Sequence, residues 1–202
     1  MVEGGYAYGY LHMAQNRNVE NAFETILKHL KPTRILEIGT MHGGLTLMIR
    51  ETLDKLNLKD SIIRTYDINE QEFLRPLVDE RVEVIKANMF KPDYSDFKSK
   101  KAKKELMDFI GSGQPCLVLC DGGCKKCEYN LLAPFLKKGD VIMAHDYAPN
   151  ELYFNEKVKG KIWDWLEIQD SDIKDVVLSC NLMPYHQPTA QQAAWTCKIK
   201  YR

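Results

Sequence analysis

The stretch from Arg34 to Leu56, RILEIGTMHGGLTLMIRETLDKL, changes its hydrophobic period in mid-course. Its first part, RILEIG, is a short apolar run of the kind that makes a strand buried on both faces. From GLTLMIRETLDKL onward, Leu45, Met48, Ile49, Leu53 and Leu56 recur at helical spacing. Gly39, Gly43 and Gly44 lie between the two patterns, where a chain must turn sharply with no Cβ in the way. Strand, glycine turn and helix in that order are the opening of a βαβ unit, and a chain that repeats it folds into a parallel sheet covered by helices.

The rest of the chain repeats it. SIIRTYDI (61–68), RVEVIKA (81–87), PCLVLC (115–120) and DVIMAH (140–145) are further strand candidates, each followed by turn or polar residues. Ahead of the first strand, Phe23, Ile26, Leu27 and Leu30 mark an entry helix over 19–30, with Asn18 as its cap and Pro32 beyond its end. CEYNLLAPFL (127–136) predicts a helix limited by Pro134, and IKDVVLSCNL (173–182) predicts another. LMPYH and AAWTCKIKY then read as two strands joined by the short connection HQPTAQQ, an antiparallel hairpin on one sheet edge. The expected fold class is α/β: a Rossmann-like, doubly wound, mostly parallel sheet of about seven strands with that C-terminal hairpin.

At 202 residues with 45% hydrophobic content, one well-buried core is expected, hence a single domain over 1–202. Within it, 1–17 reads as an N-terminal strap, 18–147 as a cofactor-binding core, and 148–202 as C-terminal helices and edge hairpin. Lys plus Arg and Asp plus Glu each number 28, so no charge excess argues for nucleic acid as a partner. The basic run from Lys98 to Glu105 reads as a solvated loop-to-helix face. No window has the ~18 consecutive apolar residues of a membrane span, and the first residues lack a signal-peptide pattern. A cytoplasmic location follows as the expectation, with its six cysteines free. The Gly111 to Gly113 segment is the expected flexible loop.

In a doubly wound sheet, ligands bind beyond the carboxyl ends of the strands, so strand-end residues carry the functional argument. Gly39 gives the turn, and Gly43 and Gly44 allow backbone to approach a ligand as the helix begins; such a turn also serves helix-strand packing alone. Asp67 ends the next strand, 28 residues beyond Gly39, where a carboxylate can accept hydrogen bonds from both hydroxyls of a ribose. It can equally form a turn with Asn69. RILEIGTMHGGLT resembles the first motif of class I S-adenosylmethionine-dependent methyltransferases, and TYDIN resembles the second. The resemblance covers roughly residues 15–147. It implies that Glu37, Gly39, Thr40 and Gly43 surround the methionine part of S-adenosylmethionine, that Asp67 holds its ribose, and that Asn88 lies near its adenine, with Gly44 and Asp121 also among the cofactor-binding residues.

Three further strand-end side chains, Asp121, His145 and Asp146, should converge beside the cofactor. Two carboxylates and an imidazole suit a divalent cation, which would hold an acceptor hydroxyl and make it easier to deprotonate; they can also be helix caps. The pattern DGG…E followed by IMAHDY resembles the metal-dependent O-methyltransferases that act on small molecules such as catechols and antibiotic sugars, and their cephalosporin hydroxylase-like relatives. That resemblance implies Asp121, His145 and Asp146 as metal ligands, with magnesium or manganese, less readily iron, as the ion. His145 stands where a carboxylate is usual and can act as a base instead. The family's base position is Cys124 here, with Lys125 next to it. Lys125 is either the base, with its pKa depressed, or an exposed lysine at a helix start. The implied activity is methyl transfer to a hydroxyl of a sugar or diol-like small molecule, with Asp121, Lys125 and His145 as catalytic candidates and a homodimer as a possible assembly. A metal-dependent hydroxylase and a non-catalytic nucleotide-binding protein are the alternatives.

Some residues admit two readings. Cys120, Cys124 and Cys127 have the C-x3-C-x2-C spacing of an iron–sulfur loop, but a core strand thiol followed by incidental ones is the favoured reading. His12 and Gln15 either close over the cofactor or belong to a surface strap packed by Tyr6, Tyr8 and Tyr10. Trp163, Trp165, Tyr185 and His186 either wall an acceptor pocket or pack into the core.

Overall fold

The computed structural model describes residues 4–69 and 72–202. A small antiparallel hairpin, β1 (Tyr6–Tyr8) and β2 (Leu11–Met13), precedes helix α1 (Val19–Leu30). Then follow β3 (Arg34–Ile38), α2 (Gly44–Lys55), β4 (Ile62–Asp67), a 3-10 turn (Glu72–Leu77), β5 (Val82–Lys86), α3 (Lys100–Gly111), β6 (Cys116–Cys120), α4 (Lys125–Leu132) and β7 (Val141–Ala144). The last quarter holds α5 (Glu151–Tyr153), which runs into a π-helical turn, α6 (Asp170–Ser179), β8 (Leu182–Pro184), α7 (Gln187–Gln191) and β9 (Thr196–Lys200).

The main sheet has seven strands in the order β5-β4-β3-β6-β7-β9-β8. Its first five strands are mutually parallel, and β9 runs antiparallel to both β7 and β8. The chain winds outward from β3 to β5 and then returns to β6 on the other side of β3. Strand order therefore reverses between β3 and β6, where loops on the carboxyl ends must part.

Strand alternation divides the core into two layers. Ile35, Ile63, Leu117 and Leu119 face α1 and α2, where Phe23, Ile26, Leu27, Met48, Ile49 and Leu53 meet them. Leu36, Ile38, Val118, Cys120 and Ile142 face the opposite layer of α3, α4 and α6, with Leu106, Phe109, Tyr129, Leu132 and Ile173. β6 and β7 are buried along their whole length, as continuous apolar runs in a parallel sheet should be.

Several boundaries differ from expectation for local reasons. The helix expected at 127–136 starts at Lys125 and gives way to a 3-10 turn, Ala133–Phe135, around Pro134. The helix expected at 173–182 starts at Asp170, because Gln169 and Asp172 form a reciprocal capping box. HQPTAQQ is not a plain connection but carries α7, with proline in its first turn, where the missing N–H costs nothing. The basic run does become the start of a helix, α3, whose Ser99 cap accepts from the Ala102 amide. In the loop after α3, Arg34 Nε donates to Ser112 Oγ at 3.2 Å, and a Cβ at Gly113 would collide with Thr33 and Arg34, while one at Gly111 would meet open space.

Candidate functional site

A cleft of about 320 Å3 opens over the carboxyl ends of β3, β4, β5 and β6. Gly39 makes it possible. Its φ of +96° is unfavourable for any side chain, and a Cβ there would lie 2.3 Å from the Asp121 carbonyl oxygen. The loops after β3 and β6 thus touch at Gly39, and the cleft forms beside that contact.

Asp67, at the tip of β4, lies in the cleft wall. Its Oδ2 accepts from the Met41 amide at 2.8 Å and its Oδ1 from the Asn69 amide at 2.8 Å. Two amides thereby fix the carboxylate, and each oxygen keeps a lone pair for a ligand hydroxyl. Asn88 lies in the same wall, its Oδ1 accepting from the Phe90 amide at 3.1 Å. Met41 and Ile68, 49% and 62% exposed, present apolar surface on either side of Asp67. Sequence reasoning passed over both, although an apolar residue straight after a strand-end acid is a readable signal.

The other residues of the first motif sit elsewhere. Glu37 is fully buried and faces α2 instead of the cleft, because it shares the sheet face of Ile35. Thr46 donates to its Oε2 at 2.5 Å, while the Thr65 hydroxyl beside it is engaged with Thr40 at 2.6 Å. Burial without a counter-charge pushes the Glu37 carboxyl up to about 7, against the hydrogen bonds that lower it. Glu37 and Thr40 therefore tie strand to loop and helix. Gly43 and Gly44 line a narrow recess together with His12, Met13, Gln15, Thr40 and Asp121. The space a Gly44 side chain would need is taken by the His12 backbone, at 2.4 Å, so the N-terminal hairpin is what this glycine admits.

Asp121 borders both the cleft and the recess. Around it the structure gathers the strand-end residues the sequence singled out. His145 Nδ1 stands 3.2 Å from Asp121 Oδ1 and 3.4 Å from Asp146 Oδ1. His145 is fully buried; desolvation works against its charge, but the two carboxylates prevail and its pKa is raised. Its ring is stacked 5.0 Å from that of Trp195 and lies 4.9 Å from that of Trp163. Asp146 adopts a φ of +55°, and its Oδ1 accepts from Trp163 Nε1. Burial raises the Asp146 pKa, but His145 and Lys125 outweigh it and hold the carboxyl below its usual range.

Gln15 completes the group. It is buried, donates through Nε2 to Asp121 Oδ2 at 2.8 Å, and accepts at Oε1 from Trp195 Nε1 at 2.9 Å. A surface strap therefore describes the aromatic hairpin but not Gln15. Glu128, also buried, accepts from the amides of Gly122 and Cys124 at 3.1 and 3.2 Å and fixes the loop after β6. Trp163 belongs to the site, and Trp165 lies half exposed 5.1 Å from it. His186 instead stacks 4.7 Å from His29, at the far end of α1, and Tyr185 packs on the core beside it.

Two expectations need correction. Lys125 is neither exposed nor a base with a depressed pKa. Its ammonium lies 2.9 Å from Asp146 Oδ2, 3.2 Å from Glu167 Oε2 and 3.9 Å from Asp121 Oδ1. Desolvation lowers its pKa, but these three carboxylates more than reverse that and keep it protonated. The cysteines are not all free either: Cys124 and Cys127 are joined, because the first turn of α4 brings their Cα atoms to 5.3 Å. Cys116, Cys120, Cys180 and Cys197 remain buried thiols, and the iron–sulfur reading fails with Cys120 inside the core.

The donor set also fails to fit a metal. Asp121, His145 and Asp146 do converge, but the carboxylate oxygens and His145 Nδ1 are taken up by Gln15, Lys125, Trp163 and one another, and His145 Nε2 alone is buried without a partner. Among the described residues, no group of three or more His, Cys, Asp or Glu is disposed to hold an ion. No described helix is long and apolar enough to cross a membrane.

No protein-family model matches the chain, and no curated protein matches it by sequence. Similarity to solved structures is broad in shape and slight in sequence. CmcI in an apo form aligns with a TM-score of 0.63 at 12% identity, covering 98% of this chain and 76% of CmcI. A form of CmcI with Mg and SAM aligns at 0.59 and 11%, covering 98% and 78%. The MycE methyltransferase of the mycinamycin pathway, in complex with Mg, SAH and mycinamycin VI, aligns at 0.53 and 13%, covering 90% of this chain and 49% of MycE. The chain has a methyltransferase fold. An O-methyltransferase family protein from Burkholderia thailandensis shares that fold, with a TM-score of 0.60, 8% identity, and coverage of 91% of this chain and 55% of that protein. The mostly parallel sheet of seven strands and the C-terminal hairpin expected from the sequence belong to this methyltransferase fold.

Proposed function

We propose that the protein transfers a methyl group from S-adenosylmethionine to a hydroxyl of a small molecule. The observation that carries this reading is Asp67 at the tip of β4, held by two loop amides in the wall of the cleft beside Gly39. A 320 Å3 hollow with apolar Met41 and Ile68 flanking a carboxylate fits a nucleoside. Asp67 would take the ribose hydroxyls, Asn88 and Ile68 the base, and Gly39 with Thr40 the loop that the amino acid part passes. The cofactor supplies an electrophilic methyl group on a sulfonium.

Asp121 is the residue best placed for chemistry, since it joins the nucleoside cleft to the recess under the hairpin. Gln15 and His145 hold its two oxygens in a fixed direction. An acceptor hydroxyl bonded to Asp121 would be aligned for in-line displacement and would lose its proton toward that carboxylate as the new bond forms. His145 and Lys125 orient Asp121 and Asp146 and balance their charge. No metal enters these steps, because the residues present do not fit one. Acceptor selection would fall to the N-terminal hairpin, Trp163 and Trp165, the only aromatic groups that border this end of the sheet among those the sequence singled out. A second copy of the chain is a further candidate wall.

Calorimetric titration with S-adenosylmethionine and its demethylated product tests the reading. One molecule of each should bind per chain, and Asp67→Ala should weaken both by on the order of 1–3 kcal/mol, the cost of stripping a partner from polar groups. Unchanged affinity in that variant would remove the ribose site. Binding without transfer of a labelled methyl group to any hydroxyl compound would favour a non-catalytic nucleotide-binding protein instead.

A further inference from the structure

Lys125 is placed as a cation is placed in a metal site. Its side chain is 10% exposed and stands among three carboxylates from three elements: Asp121 after β6, Asp146 after β7, and Glu167 ahead of α6. All three ammonium protons have acceptors: Asp146 Oδ2 at 2.9 Å, Glu167 Oε2 at 3.2 Å and the Gly122 carbonyl at 3.1 Å. A lysine so saturated has no proton left to offer a ligand. Each oxygen of Asp121 and Asp146 likewise has a donor already, with one lone pair left over. Asp121 is bonded through Oδ1 to His145 and through Oδ2 to Gln15; Asp146 is bonded through Oδ1 to Trp163 and through Oδ2 to Lys125.

We propose that the Lys125 ammonium is a built-in replacement for a divalent ion: it neutralises and spaces the acidic cluster from the position a metal would take, and the site binds no metal while it is there. The inference concerns the same site as the methyl-transfer reading but does not need it, since it can be tested with neither cofactor nor acceptor. A divalent ion entering this space would meet a fixed positive charge and carboxylate oxygens that already have donors. Removing the ammonium leaves carboxylates from three elements facing one space with His145 as their remaining cation. Buried, unbalanced carboxylates with oxygen donors are what a hard divalent ion requires. The position of Lys125 is set by the loop that Glu128 anchors and by the first turn of α4, where the Cys124–Cys127 bond flanks it on both sides.

The experiment is a titration of Mn2+ into the full chain, followed by the paramagnetic resonance signal of the free aqueous ion, with circular dichroism to confirm folding. Wild type and Lys125→Arg should leave the signal at full strength, while Lys125→Ala should remove one equivalent per chain. Adding Asp121→Asn to Lys125→Ala should restore the signal. Uptake of one equivalent by the wild type, abolished by Asp121→Asn, would overturn the proposal, as would a folded Lys125→Ala chain that takes up none. Should Lys125→Ala fail to fold, the wild-type and Lys125→Arg titrations still decide whether the occupied site admits a metal. Cofactor affinity of the wild type, measured separately, should be the same with and without chelator. A chain that binds no cofactor and no Mn2+ would sink the methyl-transfer reading and leave this inference standing.

Discussion

At the scale of single residues, buried acids dominate. Glu37 and Glu128 both have folded-state pKa values pushed by burial from 4.5 to about 7. Between those values the folded chain holds protons that the unfolded chain has released, so stability falls as pH rises across that window. His145, raised above its ordinary value, adds to the same trend, since its charge favours the folded chain and is lost as pH rises through its folded pKa. Asp146, lowered, acts in the opposite sense only in strong acid, where it is protonated and its ion pairs vanish. The melting temperature should therefore decline between about pH 5 and about pH 8. Glu37→Gln keeps an acceptor for Thr46 and removes one titration. It should flatten that decline and stabilise the chain near pH 8 by on the order of 1–3 kcal/mol. A pH profile of thermal unfolding identical to wild type would show that Glu37 is not the group responsible.

At the scale of elements, the N-terminal hairpin is the part of the fold that the sequence concealed. Its strands have three residues each, too short for a period to declare itself, and they belong to no neighbour in the main sheet. The hairpin packs through Leu11 and Met13 onto the start of α2, at Gly44. Gly44→Ala would drive a methyl group into the His12 backbone and should cost about 1–3 kcal/mol by overpacking. Limited proteolysis should then cut ahead of Val19 faster than in wild type; equal rates would mean that the hairpin is not held there. By contrast β6 and β7 were legible because burial on both faces leaves an unbroken apolar run, and β3 because its apolar residues lead straight into a glycine turn. The strand-end residues Asp67, Asp121, His145 and Asp146 were legible for the same reason, because a strand's end fixes where the next side chain goes. Their partners were not. Nothing in periodicity tells that Gln15 reaches across 106 residues to Asp121, that Lys125 turns inward, or that Glu167 arrives from a loop. Glu37 was misplaced because adjacency to a glycine turn in sequence says nothing about which sheet face its side chain takes.

At the scale of the whole molecule, the cleft lies at the one place where the seven-stranded order reverses, so a ligand there bridges loops from four strands. Occupancy should accordingly stabilise the fold as a unit. At a hundred times its dissociation constant, demethylated cofactor would add about 2.7 kcal/mol. For a chain of this size that is a rise in melting temperature of roughly 5–10 °C. A scanning fluorimetry trace that does not move, with ligand well above its calorimetric dissociation constant, would mean that the ligand binds the unfolded ensemble as well as the fold.

The bond between Gln15 and Trp195 ties the N-terminal segment to the antiparallel edge of the sheet. Trp195 lies just ahead of β9 and Gln15 ahead of α1, so the indole that holds this amide beside Asp121 is in place only when the antiparallel edge has docked on β7. The edge of the sheet thus acts as a buttress for the cluster at its centre. Peeling that edge away would set Gln15 loose while leaving the contact between Gly39 and Asp121, and the cleft beside it, untouched.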